Sequence, residues 1–252
     1  SSTPQVCLHV RPPGYIRQAF GVPISNLGSG TGGSVTLHRH PWTGNQLAIK
    51  KFKFPPTMPS ELRTRIVSSE AGIALPLSHP NIIKTYAYVH EQSASAGDYH
   101  FSRDDDGSYY CIMEAQPQDV FPAMLTARYN KYFVQMVNAV HYLHTEKGIA
   151  HRDLKLDNFV LTHDDAVKLL DFGCATRLYP SLQYQQGQFK KVTGANVVKS
   201  TGVCGSDPYI APEVLQCSGR NGAVGYDASK ADVWSLAIIY LAMRSCHFPW
   251  NI

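Results

Sequence analysis

Two short strings constrain this chain more than any other feature of its sequence: HRDLKLDN at residues 151–158 and DFG at residues 171–173. Asp153 precedes Asn158 by five positions and Asp171 by eighteen. The chance that both strings arise at this separation, downstream of a glycine-rich segment and a lysine that ends an apolar run, is negligible. We therefore interpret the rest of the sequence together with them.

Length and composition admit a folded protein with a sizeable core. The chain has 252 residues, of which 44% are hydrophobic and 17% charged, which is not the composition of a disordered chain, a collagen-like repeat or a small disulfide scaffold. At about 150 residues per domain the length allows one or two domains. The net charge of +4 comes from scattered basic residues, whereas nucleic-acid binders concentrate theirs, so we expect no nucleic-acid partner.

The spacing of the cysteines and the length of the apolar runs indicate the cellular compartment that we expect for the protein. The six cysteines are far apart in the sequence and none falls at C-x-x-C spacing, which favours neither a zinc site nor a disulfide framework. We expect most of them to be buried, reduced thiols of an intracellular, cytoplasmic protein. The longest strongly apolar run, residues 236–243, is shorter than the ~20 residues of a transmembrane helix, so the sequence predicts no membrane span.

The sequence changes character along the chain and predicts two lobes. Residues 1–23 carry four prolines with little periodicity and predict an N-terminal extension. Residues 24–115 are typical of short strands, including 34–37, 47–49 and 109–113, with one helix over 61–75 and a polar surface loop over 90–108. Residues 116–252 are mainly helical. Phe133, Met136, Val137, Val140 and Leu143 share a predicted helix face, Gly148 follows that helix, and a second helix covers 229–244. The predicted fold class is α+β, with a small β-rich lobe followed by a larger helical lobe.

The glycine-rich segment 28–35 contains the pattern G-x-G-x-x-G-x-V. Glycines let backbone N–H groups approach phosphate oxygens, but the pattern alone is a weak signal. A dinucleotide-binding fold would need a helix directly after the glycines and an acidic residue ~20 positions on. Here a strand-like SVTL follows, and Lys50 comes about twenty positions on, so we reject a dinucleotide-binding oxidoreductase. Lys50 or Glu70 alone would be an ordinary surface charge, and together they predict an inward-facing ion pair.

In chain order the features are a glycine loop, Lys50, Glu70, HRD at 151–153, DFG at 171–173 and APE at 211–213. In this order they resemble the eukaryotic protein kinase family, over nearly the whole chain from Leu27 onward. The HRDLK string resembles the Ser/Thr-specific pattern. The strings AHRDLKLDN at 150–158 and GSDPY at 205–209 are similar to those of the fungal nitrogen-permease-reactivator and halotolerance kinases, a group associated with the control of plasma-membrane nutrient and ion transporters.

The resemblance implies an ATP site. Backbone amides of the glycine loop would cover the triphosphate, and Lys50, oriented by Glu70, would hold the α- and β-phosphates. Val35 and Ala48 would contact the adenine, with Met113 as gatekeeper and residues 114–116 as hinge. The implied ATP-binding residues are Leu27, Gly28, Ser29, Gly30, Thr31, Gly32, Gly33, Val35, Ala48, Lys50, Glu70, Met113, Glu114 and Gln116.

The resemblance also implies a catalytic set. Asn158 and Asp171 would hold Mg²⁺, and Asp153 would accept the proton of the substrate hydroxyl. Lys155 would contact the γ-phosphate, and Ser206 is expected to contact Lys155 and Asp153. The implied catalytic residues are Asp153, Lys155, Lys50, Asn158 and Asp171.

Two neighbours of the base have other implied roles. His151 is expected to be a buried histidine that positions the loop. Arg152 leads to the hypothesis that a phosphate on Ser200 or Thr201 orders the segment 171–213 through this arginine.

The implied function is transfer of the γ-phosphate of Mg-ATP to a Ser/Thr hydroxyl of a protein substrate, which for this group is a regulator of plasma-membrane transporters. The alternative is a pseudokinase-like scaffold or an inactive fragment. In the family Glu213 pairs with an arginine beyond Trp250, and further helices complete the helical lobe. We therefore expect a C-lobe that is truncated in this chain, with apolar surface exposed on the helix around Trp234. The oligomeric state stays open.

Overall fold

The computed structural model describes residues 8–93, 107–116, 128–179, 183–185, 188–190, 197–217 and 225–250. They form two compact units. The first contains the residues before 79 together with 83–116, and the second contains residues 79–82 together with those from 117 onward.

A six-stranded sheet with the order β1-β5-β6-β4-β3-β2 forms the body of the first unit. Strand β1 runs parallel to β5, and the other neighbours are antiparallel. The elements are β1 (Leu8–Arg11), α1 (Tyr15–Phe20), β2 (Pro23–Gly30), β3 (Gly33–Arg39), β4 (Gln46–Phe52), α2 (Ser60–Ala74), β5 (Thr85–Glu91) and β6 (Ser108–Glu114). The predicted strands and the predicted helix of this part are confirmed, whereas most of the predicted loop at 90–108 lies outside the described residues.

Residues 8–22, which precede β2, are ordered by contacts with the sheet. Strand β1 pairs with β5, and the Ile16 N–H donates to Glu91 Oε2 at 2.7 Å. Ile16 is 7% exposed and packs in an apolar cluster with Ile49, Val89 and Ile112. The sequence predicts no regular element here, because a four-residue strand and a six-residue helix are too short to show a hydrophobic period. Tertiary contacts, rather than local periodicity, therefore order this segment.

The second unit is mainly helical. Its longer helices are α3 (Tyr129–His141), which continues into a π-helical segment (Tyr142–Lys147), and α5 (Ala228–Ser245). The π-helical segment ends at Gly148, as predicted. The remaining elements are β7 (Ile149–Ala150), a 3-10 turn (Leu156–Asn158), β8 (Phe159–Leu161), β9 (Val167–Leu169), β10 (Thr176–Arg177), β11 (Gln183–Gln185), β12 (Gln188–Lys190) and α4 (Pro212–Gln216). The short strands pair as the antiparallel ladders β7·β10, β8·β9 and β11·β12.

The buried face of α3 differs slightly from the predicted one. Tyr132, Met136, Ala139 and Val140 are buried, whereas Val137 is 38% exposed. Counted from Tyr132, these residues occupy positions i, i+4, i+7 and i+8, which is the spacing of side chains on the inward face of an α-helix. Tyr132 and Ala139 occupy two of these positions. The apolar pattern of the sequence alone favoured Val137 for the buried face over these two residues.

Helix α5 carries exposed apolar side chains, as expected. Val233 is 59% exposed and Leu241 43%, whereas Glu213 in α4 is half-buried. Within the described ranges, no helix has the length and apolar character needed to cross a bilayer. The α+β class, with a β-rich unit followed by a mainly helical one, is confirmed.

Replacing Ile16 with alanine tests whether α1 contributes to the stability of the first unit. We expect Ile16→Ala to lower the free energy of unfolding by about 2–5 kcal/mol, because it leaves a cavity in the apolar cluster. Ile24→Ala is the matched control, since Ile24 is 52% exposed, and should change stability by less than about 0.5 kcal/mol. Urea unfolding of both variants measures the difference, and equal midpoints would contradict the prediction.

Candidate active site

Lys50 and Glu70 form an ion pair inside the first unit. Lys50 Nζ lies 3.7 Å from Glu70 Oε1, and the two side chains are 12% and 6% exposed. Lys50 lies on β4 and Glu70 on the buried side of α2, so the pair joins the helix to the sheet. The predicted ion pair is confirmed. Removing either partner would leave an uncompensated charge in a poorly solvated site.

Two aromatic residues that were not predicted from the sequence contact this ion pair. The Tyr88 hydroxyl donates to Glu70 Oε1 at 3.1 Å, and Lys50 Nζ lies 5.0 Å from the centroid of the Phe52 ring. Burial raises the pKa of Tyr88 well above its usual value, and Cys111 and Glu70 raise it further. The phenol therefore stays protonated and remains a donor to the carboxylate. Phe52 is two positions after Lys50 on the same strand. Because side chains two positions apart on a strand lie on the same face, this spacing is the sequence signal that could have indicated the contact.

The glycine-rich segment is the β2–β3 hairpin, in which Gly30 pairs with Gly33. Its glycines differ in the space around them. A Cβ at Gly30 or Gly32 would meet nothing within 4 Å, so these positions leave backbone open to a ligand. A Cβ at Gly33, where φ is 144°, would overlap the carbonyl oxygen of Lys51. Gly33 is therefore needed for the close approach of β3 and β4.

The other residues implied to bind ATP lie on the same sheet. Val35 pairs with both Gly28 and Lys50 across neighbouring strands, and Ala48 pairs with Met113. The Glu114 N–H donates to Lys84 O at 2.9 Å, and Glu114 Oε1 accepts the Lys84 N–H at 2.6 Å. The sheet thus brings one group together: Leu27, Gly28, Ser29 and Gly30 on β2, Thr31 and Gly32 in the turn, Gly33 and Val35 on β3, Ala48 and Lys50 on β4, and Met113 and Glu114 on β6, with Gln116 two residues beyond it.

Asp153, Lys155 and Ser206 form a closed polar triangle in the second unit. Lys155 Nζ lies 3.1 Å from Asp153 Oδ2 and donates to Ser206 Oγ at 2.7 Å. Ser206 Oγ in turn donates to Asp153 Oδ1 at 2.8 Å. The predicted contacts of Ser206 are confirmed. Each oxygen of the Asp153 carboxylate therefore has a partner that fixes its direction, while the side chain stays 17% exposed.

Asn158 and Asp171 lie at the same end of the β8–β9 hairpin. Asn158 directly precedes β8, Asp171 follows β9, and the Leu170 N–H donates to Asn158 O at 2.7 Å. Asn158 Nδ2 donates to Asp153 O at 2.7 Å and to Asp153 Oδ2 at 3.3 Å, which leaves its carbonyl oxygen as the end able to ligate a cation. An amide oxygen beside a carboxylate fits Mg²⁺, which prefers hard oxygen ligands. Within the described ranges, no group of three or more His, Cys, Asp or Glu side chains is placed to hold a metal.

Asp232 is the most important residue that sequence reasoning missed. It is fully buried at the start of α5. Its Oδ2 accepts the His151 N–H at 2.8 Å, and its Oδ1 accepts the Arg152 N–H at 2.7 Å. An acidic residue in the mainly apolar string ADVWSLAII was the signal available. His151 is fully buried, as predicted, and lies 3.0 Å from Leu170 O through Nε2.

The two hydroxyls of the phosphorylation hypothesis differ in exposure. Ser200 is 8% exposed and pairs with Tyr226 through two backbone hydrogen bonds of 2.9 Å, whereas Thr201 is exposed. Exposure therefore favours Thr201 over Ser200. The hypothesis itself stays a prediction.

A comparison with protein-family models matches residues 22–252 to the model described as "Protein kinase domain". A Saccharomyces cerevisiae protein named "Probable serine/threonine-protein kinase RTK1" is 36% identical over 95% of this chain and 35% of its own length. "Serine/threonine-protein kinase oca2" of Schizosaccharomyces pombe is 36% identical over 89% of the chain and 31% of its own length. "Nitrogen permease reactivator protein" of S. cerevisiae is 35% identical over 92% and 27%. The chain thus spans about a third of the length of these relatives.

Alanine substitutions at two neighbouring glycines separate their roles. We expect Gly33→Ala to lower the free energy of unfolding by about 1–3 kcal/mol, because its Cβ overlaps the β4 backbone. Gly32→Ala, which places its Cβ in open space, should stay within about 0.5 kcal/mol of the wild type. Chemical unfolding monitored by fluorescence measures both. Equal stability of the two variants would show that Gly33 has no special packing role.

Proposed function

The chain belongs to the protein kinase family, and from this premise we propose that it transfers the γ-phosphate of ATP to a serine or threonine hydroxyl of a protein. The observation that carries the proposal is the Asp153–Lys155–Ser206 triangle, in which a carboxylate is held by a cation and a hydroxyl. Phosphoryl transfer depends mainly on positioning and on neutralising charge. A carboxylate with both oxygens fixed and with part of its surface exposed is suited to position an incoming hydroxyl.

Asp153 is the proposed base. A substrate hydroxyl would donate its hydrogen bond to the exposed part of this carboxylate, and the proton would pass to the carboxylate as the oxygen bonds to phosphorus. Asn158 supports this geometry because its Nδ2 donates to the Asp153 backbone oxygen at 2.7 Å. Lys155, which already contacts the carboxylate, supplies positive charge for the transferred phosphoryl group.

The first unit supplies the residues proposed to hold the nucleotide. The Lys50 ammonium, paired with Glu70 at 3.7 Å, would neutralise the α- and β-phosphates. The open backbone of Gly30 and Gly32 lets the β2–β3 turn lie close to phosphate oxygens. Ala48 and Val35 would contact the adenine, where small and branched apolar side chains leave room for a flat ring.

The second unit supplies the residues proposed to hold Mg²⁺. Asn158 would bind it through its carbonyl oxygen and Asp171 through its carboxylate. When bound, the metal neutralises charge on the phosphate oxygens. Asp171 has a φ of 56° and its Oδ1 accepts the Gly173 N–H at 3.1 Å, so the local turn sets the direction of the carboxylate.

The protein substrate is proposed from a relative. The similarity to the protein named "Nitrogen permease reactivator protein" supports the proposal that a regulator of plasma-membrane transporters is phosphorylated. The competing function is a scaffold that keeps the fold without transferring phosphate.

Neighbouring lysines of β4 provide a matched test of phosphate binding. We expect Lys50→Met to lower phosphate transfer from labelled Mg-ATP to a generic Ser/Thr protein substrate by about 10²–10³-fold, because a preorganised charge is lost. Lys51→Met is the control, since Lys51 is exposed and lies 5.8 Å from the Tyr110 ring centroid. It should leave transfer unchanged. Transfer that survives Lys50→Met would contradict the site, and no transfer by the wild type would favour the scaffold.

The proposed base has its own matched test in the same loop. We expect Asp153→Asn to lower the turnover number by about 10²–10⁴-fold, which is the usual contribution of a positioned proton acceptor. Asp157→Asn removes an exposed carboxylate four residues away and should retain full activity. Steady-state kinetics with Mg-ATP measures both variants, with circular dichroism to check folding. An active Asp153→Asn variant would assign the base elsewhere.

A further inference from the structure

The acidic residues of this chain are unevenly distributed. All 19 Asp and Glu residues follow position 60, whereas residues 1–60 carry six Lys or Arg and so a net charge of +6. The whole chain has a net charge of +4, so the rest of the chain carries −2. Glu70 pairs with Lys50 of this segment. Glu91 accepts the Ile16 N–H at 2.7 Å. The segment as a whole nevertheless keeps an excess of positive charge, which attracts partners of negative charge.

Part of this segment forms one corner of the six-stranded sheet, where the edge strand β2 begins and β3 ends. Pro23 on β2 pairs with His38 on β3. On either side of Pro23, Val22 and Ile24 are exposed. Arg39, which follows His38 and ends β3, is exposed as well. Exposed apolar side chains and an exposed cation therefore lie together at this corner.

Trp42 lies in the turn that follows β3 at the same corner. Its side chain is 78% exposed, the largest fraction for a large apolar side chain among the described residues. The turn is closed by two backbone hydrogen bonds, from His40 N–H to Asn45 O at 2.8 Å and from Gly44 N–H to His40 O at 2.9 Å. The centroid of the His40 ring lies 6.2 Å from that of Phe20 and 5.5 Å from that of Trp42. A fixed turn thus holds this tryptophan in an exposed position.

We propose that this corner, formed by Val22, Ile24, Arg39 and Trp42 and called here the Trp42 surface, binds a lipid bilayer that carries anionic headgroups. Tryptophan is favoured at the level of the headgroups. The two aliphatic side chains suit the boundary between headgroups and acyl chains, and the arginine is attracted by the negative surface potential.

The size and charge of the Trp42 surface favour a bilayer over other partners. A stable protein interface needs a shape-matched area of about 800 Å² on each partner, whereas a fluid bilayer can accept a few separate side chains. A nucleic acid would be bound by clustered cations along its phosphates, but here apolar side chains outnumber the cation. Anionic lipid is therefore the partner whose chemistry matches both the charge and the exposed apolar groups.

Binding through the Trp42 surface would leave the glycine hairpin open. The Trp42 turn follows one end of β3 and the hairpin turn precedes the other end. A strand of seven residues separates the two turns by about 20 Å. The proposal does not rest on the proposed function, because binding to lipid requires no phosphate transfer.

The test is co-sedimentation of the full chain with sucrose-loaded phosphatidylcholine vesicles, prepared with and without phosphatidylserine. We expect binding to the vesicles that contain phosphatidylserine, and binding about tenfold weaker or less to phosphatidylcholine alone, because the anionic surface potential is then lost. Added salt should weaken the binding, since it screens that potential.

Two variants separate the apolar and the electrostatic contributions. Trp42→Ala should weaken binding about tenfold, because a large aromatic side chain no longer enters the bilayer. Its control is Tyr86→Ala, which removes an exposed aromatic side chain of β5. Arg39→Glu should weaken binding about 30-fold, because it changes the charge near the lipid by two units. Its control is Lys230→Glu, at an exposed cation of α5. Both controls should bind as the wild type does, and circular dichroism checks that each variant is folded.

Three results with vesicles would overturn the proposal. The first is no sedimentation with phosphatidylserine vesicles. The second is sedimentation that neither Trp42→Ala nor Arg39→Glu weakens. The third is sedimentation that Lys230→Glu weakens as much as Arg39→Glu does, which would show attraction by net charge alone.

Two further measurements would assign the Trp42 surface to another partner and so also contradict the proposal. Binding of polyglutamate, but not of vesicles, with no effect of Trp42→Ala would indicate an acidic protein. A dimer in sedimentation velocity that Trp42→Ala abolishes would indicate a second copy of the chain. Phosphate transfer in solution is a separate readout, which Trp42→Ala should leave unchanged. Vesicle binding by a protein that transfers no phosphate would support the Trp42 surface and count against the proposed function alone.

Discussion

A single buried carboxylate, Asp232, holds the loop on which the proposed chemistry depends. It accepts the N–H groups of His151 and Arg152 at 2.8 and 2.7 Å and lies 2.8 Å from His144 Nε2. Arg152 has a φ of 66°, a left-handed conformation that costs a non-glycine residue on the order of 1–3 kcal/mol. Hydrogen bonds to a charged group each contribute about 1.5–3 kcal/mol, enough to offset that strain. The hydrogen bonds to Asp232 therefore also set the direction of Asp153, the next residue of the loop.

Short contacts connect that loop to the neighbouring turns. The His151 ring meets the Phe172 ring edge-on, with centroids 5.3 Å apart, and Arg152 binds Cys174 O. His151 and Arg152 therefore connect the loop that carries the proposed base to the segment that carries Asp171.

Much of the site was predictable because its signals are local. Fixed spacings place Asp153, Asn158 and Asp171 in one pattern, and strand alternation turns Lys50 toward the helix that carries Glu70. Other features depend on residues that are distant in sequence. The order of the segment around Ile16, the Tyr88 hydroxyl on Glu70 and the burial of Asp232 arise from partners 18 to 81 positions away, where no short pattern exists to find them.

By itself, the sequence determined the succession of a β-rich part and a mainly helical part, the α+β class, the glycine-rich loop and the residue types at the proposed site, because each of these is set by local spacing and local conformational preference. The tertiary structure alone decided which glycine is required by backbone packing and which carboxylate holds the loop. These depend on distances across folded strands and turns. Eighty positions of chain separate Arg152 from Asp232, and only the folding of the chain brings the Arg152 N–H within 2.7 Å of that carboxylate.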